Sequence, residues 1–170
     1  MLTLDYLLRL TDPRRKWKAD NLVKLLQVKS GITEDPQYGP VPYFAAKTKS
    51  NKEQLPNGNI IQLTHSPKYL TMFTIIPDRK KNKIFIKADC SCYDFRYRWD
   101  WVLSQKDASD RLQAIDQAPN ITNPQHHLSL CKHLVKVAER MRPQLAQIAQ
   151  HYNKQMAEWR KAEMQQKRGK

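Results

Sequence analysis

Three cysteines and one histidine, arranged as Cys90-Ser91-Cys92 and Cys131-Lys132-His133, constrain this chain more than any other feature. An odd number of cysteines does not make a disulfide framework, and a bridge within Cys90-Ser91-Cys92 would be strained, because side chains two residues apart rarely reach disulfide geometry. All three belong to two tight pairs of metal ligands, which together read as one zinc site. Cys90 and Cys92 follow a strand-like run, Lys83-Ile84-Phe85-Ile86-Lys87. Residues i and i+2 of a strand point to one face, so both sulfurs should face one way and Ser91 the other. Cys131 and His133 open a helix-like segment, where i and i+2 diverge; Cys131 is therefore expected in the turn before the helix and His133 in its first turn. Three thiolates and one neutral imidazole complete a tetrahedron with no position left for water, so the expected zinc is structural.

The balance of charge points outward. Thirty Lys plus Arg against sixteen Asp plus Glu give a net charge of +14 over 170 residues, with a pI near 9.8. The excess lies at the two ends: seven basic and three acidic residues over 1–30, ten and three over 132–170, but thirteen and ten between them. A polyanion is an expected partner, with nucleic acid the first candidate and an acidic protein surface the alternative. No apolar run is long enough for a membrane span, and the first ten residues, interrupted by Asp5 and Arg9, lack a signal-peptide layout. Zinc-ready thiols suit a reducing interior, so the expected setting is cytoplasmic.

Read in order, Leu4, Leu7, Leu8 and Leu10 predict a short amphipathic helix with Thr3 as its N-cap. Asp12-Pro13 offers a cap followed by proline at the first helical position, predicting a helix over 13–30 that Gly31 stops, with Leu22, Leu25 and Leu26 inward. Arg14, Arg15, Lys16 and Lys18 flank Trp17, which either stacks on a base or packs on a neighbour. Residues 32–58 hold four prolines in a polar setting, read as an extended arm or surface loop because proline at that density disfavours helix and central strand. Strands near 60–64, 69–76 and 83–89 predict a three-stranded antiparallel meander. Its tip carries Arg79, Lys80 and Lys81, with Lys83 just beyond, either as phosphate contacts or as solvated charges that discourage edge pairing. His126 and His127 fall outside the two-pair pattern and read as loop residues in a stretch, 118–128, that contains Pro119 and Pro124. Leu134, Val135 and Ala138 define the inward face of a helix over 131–142, after which Pro143 disrupts the next turn. Leu145, Ile148, Tyr152, Met156 and Trp159 then form one apolar stripe of a long basic helix, expected to pack on residues 1–30 or on another chain.

The Cys-x-Cys and Cys-x-His pairs, with a hairpin before the first and a helix after the second, resemble the SWIM-type zinc finger over roughly residues 59–142. The resemblance implies a ββα core, zinc on Cys90, Cys92, Cys131 and His133, and service in DNA-binding or protein-binding contexts. The 38 residues between Cys92 and Cys131 exceed the usual family spacing and imply an insertion over 93–130 with its own helix. For Asp94 to Leu103, whose aromatics fit both strand and helix periodicity, the resemblance favours helix over 94–106. Such an insertion, with Asn123-Pro124 upstream of Leu130-Cys131-Lys132-His133-Leu134, also looks like SWIM-bearing proteins encoded among tailed-phage virion genes.

The expected fold is thus α+β: a small antiparallel meander and a helix forming a zinc-finger core, with N-terminal helices over 1–31, an arm or loop over 32–58, and a long C-terminal helix over 143–170. Enzymatic signatures are missing. There is no His-x-Glu beside the cysteines, no His-Glu-x-x-His, and with four glycines no P-loop or dinucleotide fingerprint. The expected function is a non-enzymatic zinc-binding adaptor of a larger assembly, of the kind found in a tailed-phage virion, with other protein subunits as partners and no membrane or small-molecule substrate. Its basic surface would contact nucleic acid through Arg79, Lys80, Lys81 and Lys83 or through Arg14, Arg15 and Lys16. The alternative is a DNA- or RNA-binding SWIM module acting outside a virion.

Overall fold

The fold is α+β, as its elements follow from local signals and from one sheet. In the computed structural model, which describes residues 1–78, 83–110 and 117–168, the chain begins with helix α1 (Leu4–Leu10), capped by Thr3 Oγ1 accepting from the Tyr6 amide at 3.3 Å. Helix α2 (Pro13–Leu22) follows, with Asp12 Oδ1 accepting from the Arg14 amide at 2.7 Å and proline at its first position.

The expected helix over 13–30 ends early, at Leu22. From there the chain becomes strand β1 (Val23–Asp35), which pairs antiparallel with β2 (Gly39–Ser50). The leucines at 22, 25 and 26 suit either period, and the β-branched Val23, Val28, Ile32 and Thr33 together with the ladder on β2 decide for strand. A register shift between Leu25 and Gln27 absorbs the adjacent leucine pair and leaves Leu26 exposed. Gly31, expected to stop a helix, lies inside β1 opposite Tyr43; a Cβ there would come 3.0 Å from the Tyr43 ring.

Residues 39–50, expected in an arm or loop, form an inner strand. Pro40 and Pro42 pair only with β1, at Glu34 and Ile32, whereas pairing with β5 (Lys68–Asp78) starts at Tyr43↔Thr74. A proline lacks the N–H that a two-sided strand uses, and both prolines fall where β2 has one neighbour. The sheet order is β1-β2-β5-β6, with β6 (Lys83–Cys90) antiparallel to β5. Residues 60–64 do not join this sheet, contrary to the meander expected: β4 (Ile60–Gln62) pairs with β3 (Lys52–Gln54) in a hairpin turned by Gly58 at φ 88°.

After β6 come α3 (Tyr93–Arg98) and α4 (Asp100–Ser104), close to the helix expected over 94–106, and then the irregular stretch 117–131. Helix α5 (Lys132–Met141) is followed by a 3₁₀ turn at Arg142–Gln144, where Pro143 cannot continue the helical ladder, and by α6 (Leu145–Arg168). One face of the sheet stacks Phe44 beside Phe73 and Ala88, and Ile75 beside Ile86. These meet Leu4 and Leu7 of α1, Phe95 and Leu103, and Leu134, Val135, Ala138 and Met141 of α5 in one buried core. The apolar stripe of α6 packs first on β2 and β5, with the Tyr152 hydroxyl donating to the Pro40 carbonyl. Its later part is bare: Trp159 is 59% exposed.

The opposite face of the sheet carries a polar latch. Lys87 Nζ pairs with Asp35 Oδ2 at 2.8 Å and Asp107 Oδ1 at 3.3 Å, and lies 5.1 Å from the Tyr38 ring centre. Asp35 Oδ1 also accepts from the amides of Gln37 and Tyr38, closing the β1–β2 turn. Burial alone would raise the Asp35 pKa, but the Lys87 hydrogen bond and the two amides outweigh it and hold it below its ordinary 3.8. Burial would lower Lys87, but Asp35 and Asp107 hold it above its ordinary 10.5. The latch therefore stabilises the fold fully between those two ordinary values. Its contribution is lost as pH falls below 3.8 through the depressed Asp35 value, or rises past 10.5 through the raised Lys87 value. Asp35→Asn should cost somewhat less than about 3 kcal/mol in urea unfolding near neutral pH, since Asp107 remains beside the lysine. The gap from wild type should close as pH falls below 3.8.

Candidate metal centre

Cys90 ends β6, in register with Thr71 of β5. Ser91 turns outward and ties the strand end to β5: its amide donates to the Leu70 carbonyl at 2.9 Å, and its Oγ accepts from the Leu70 amide at 3.0 Å. Cys92 is then free to turn back as the N-cap of α3, in extended conformation, its Sγ accepting from the Phe95 amide at 3.3 Å. Cys131 is the N-cap of α5, also extended, and His133 sits in the first turn of that helix. The Cys-x-Cys and Cys-x-His pairs, expected to form one site, thus meet in the fold. One ligand atom from each of Cys90, Cys92, Cys131 and His133 lies within 4.8 Å of all the others, and all four residues are buried. The cysteines are free thiols rather than a disulfide.

Two helices, α3 and α5, present their N-terminal ends at the sulfurs, where the helix dipole and unpaired amides favour negative charge. Even so, the thiols cannot all ionise unaided. Hydrogen bonds from the Cys131 and Cys90 thiols pull the Cys92 pKa far down. Burial pushes Cys90 and Cys131 well up. Three bare thiolates buried at one point repel one another and forgo hydration, and a divalent cation is what would let all three lose their protons.

The histidine supplies the test of fit. Its Nε2 lies 2.8 Å from Ser50 Oγ at the end of β2, while its Nδ1 is buried without a hydrogen-bond partner among the described residues. A buried, unpaired ring nitrogen is costly. With Nε2–H donating to Ser50, Nδ1 is left with its lone pair as the ligand atom, the arrangement that fixes tautomer and orientation in metal-binding histidines. Tyr69 of β5 braces the imidazole, ring centres 4.3 Å apart. The donor set, three sulfurs and one imidazole nitrogen, can hold a metal ion. Neither Ser50 nor Tyr69 carries a signal in the sequence, since each reaches the site only through strand pairing.

The basic residues singled out from sequence lie elsewhere and in separate elements. Arg14 is exposed on α2, and Lys16 is partly buried near α1. Arg15 is engaged in the fold: it pairs with Asp94 of α3, and its guanidinium stands 4.7 Å over the Trp99 ring. Trp17 is 40% exposed. Lys83 opens β6 opposite Asp78, and Arg79, Lys80 and Lys81 lie outside the described residues. His126 and His127 are loop residues; His126 packs on Trp101, ring centres 5.1 Å apart. Among the described residues no helix is long and apolar enough to cross a membrane.

Comparison with protein-family models, curated proteins and solved structures gave no match. Ser50→Ala should leave the four ligands in place but weaken metal binding by about 10- to 100-fold, read by competition with a chromogenic chelator. An unchanged affinity would remove Ser50 from the site.

Proposed function

We propose that the protein is a non-enzymatic zinc-binding adaptor, in which the metal joins the end of the sheet to α5 and so fixes the direction in which α6 leaves the core. The observation that carries this reading is the unpaired Nδ1 of His133 within the cluster of three buried sulfurs. Sulfur-rich tetrahedral donor sets favour zinc over harder cations, and four protein ligands leave no open position for a reacting water. Bound zinc would supply charge compensation and cross-linking, and no chemistry.

The adaptor role is supported by what the core leaves uncovered. Helix α6, about 36 Å long at 1.5 Å per residue, keeps Trp159 and Met164 exposed beyond the part that packs on β2 and β5. An apolar stripe rimmed with Lys154, Arg160 and Lys161 suits a neighbouring subunit. The resemblance to SWIM-bearing proteins of tailed phages makes a virion the assembly we favour.

Two experiments separate the parts of this reading. Purified protein should carry one zinc per chain by elemental analysis, and Cys92→Ser or His133→Ala should lose it and melt at markedly lower temperature, because the metal-binding free energy is part of the folding free energy. Full stability and zinc in both variants would refute the site. Trp159→Asp should keep the zinc and the melting temperature but drop out of the assembled particle. Incorporation at wild-type level would refute the role of α6.

A further inference from the structure

The aromatic and arginine residues between Cys92 and Leu103 divide into two sets with opposite fates. Phe95, Trp99, Val102 and Leu103 enter the core. Tyr93 and Tyr97, one helical turn apart on α3, stay 73% and 50% exposed, with their rings parallel within 9° and 6.0 Å between centres. Burying one face of such rings is favourable, so an exposed pair held parallel is a surface waiting for a flat partner. Arg96 stands 5.9 Å over the Tyr97 ring.

Beside this pair lies an open cleft of about 380 Å³, between α3–α4 and residues 117–122. Arg96, Tyr97, Arg98 and Trp101 line one side, and Asn120 and Ile121 stand on the other. No acidic side chain lines it among the described residues. Arg98 is partly neutralised by Asp94, its Nε 3.2 Å from Oδ1. The far wall is fixed in place: Asn123 Nδ2 donates to the carbonyls of Arg98 at 3.1 Å and His127 at 2.9 Å, its Oδ1 accepts from the His127 amide at 3.0 Å, and Thr122 Oγ1 donates to the Tyr97 carbonyl. Ile121 is 94% exposed at its rim.

From this geometry we infer that the α3 cleft binds single-stranded nucleic acid, with unpaired bases stacked on Tyr97 and Tyr93 and the backbone phosphates held by Arg96 and Arg98. Exposed aromatic faces interleaved with guanidinium groups match the two parts of a single strand, flat bases and a charged backbone, and a duplex keeps its bases stacked inside. The chain's net charge of +14 adds long-range attraction to any polyanion, but only the ring faces discriminate single strands. This site is distinct from α2 and from the β5–β6 hairpin. It does not depend on which metal Cys92 holds.

The test is fluorescence anisotropy of the zinc-loaded full chain with labelled oligothymidylate, oligouridylate and a mixed-sequence duplex, at about 0.15 M salt. Both single strands should bind more tightly than the duplex, and a preference between the two would tell DNA from RNA as the source. Tyr97→Ala should weaken single-strand binding by about tenfold or more, and Tyr97→Phe should retain it. Arg96→Gln should reduce the salt slope by about 0.7. All variants should keep one zinc per chain, so a failure of the metal centre would show separately from a failure of the cleft. Equal affinity for duplex, displacement of the oligonucleotide by polyglutamate as readily as by unlabelled single strand, or wild-type binding by Tyr97→Ala with Tyr93→Ala would overturn the proposal.

Discussion

Everything in this fold converges on the meeting of Cys90 and Cys92 with Cys131 and His133. The two pairs are separated by 38 residues, of which the described part is two short helices and irregular chain. Such a segment closes a loop at an entropic cost and offers few ladder hydrogen bonds in return. Holding its ends at one point lets α5 lie across the sheet, and α5 in turn carries much of the core through Leu134, Val135, Ala138 and Met141. Apparent binding free energies for structural zinc run to about 10–16 kcal/mol, as large as the whole net stability of an ordinary domain, about 5–15 kcal/mol. On that scale a tetrahedral metal bound at these residues would decide whether the sheet and α5 stay joined.

The surrounding structure supports the centre from three sides. Ser50 brings the end of β2 to the imidazole, Tyr69 brings β5 against its face, and Thr11 at the end of α1 accepts from the Leu130 amide at 3.2 Å, one residue before Cys131. Arg15 ties α2 to α3 through Asp94 and Trp99. The two N-terminal helices thus act as a brace on both helices that start at a cysteine. Across the sheet, the Lys87 latch ties the β1–β2 turn to β6 by charge pairing.

What the sequence revealed and what it hid follow one physical rule. Features encoded over a few residues were legible: the caps at Thr3 and Asp12, the inward face of α5, and the two ligand pairs, whose i, i+2 spacing fixes their geometry locally. Features settled by distant pairing were not. Residues 23–30 look helical until β2 lies beside them, and Pro40 and Pro42 argue against an inner strand until one sees that they occupy the stretch with a single neighbour. Ile60 to Gln62 reads as a sheet strand but takes Lys52 to Gln54 as its partner. Ser50 meets His133 across 83 positions of sequence, with no local pattern to announce it. The aromatics after Cys92 were ambiguous for the same reason: their periodicity fits strand and helix alike, and only packing tells Phe95 and Trp99, which are buried, from Tyr93 and Tyr97, which are not.

The most direct test of the central claim is the X-ray absorption spectrum of the purified, unmodified chain at the zinc edge. The four residues should hold one tightly bound zinc with three sulfur neighbours at about 2.3 Å and one nitrogen at about 2.0–2.1 Å, and no exchangeable water bound to it. A shell with fewer sulfurs, added oxygen neighbours, or no stoichiometric metal at all would contradict it, and would leave α5 held to the sheet by packing alone.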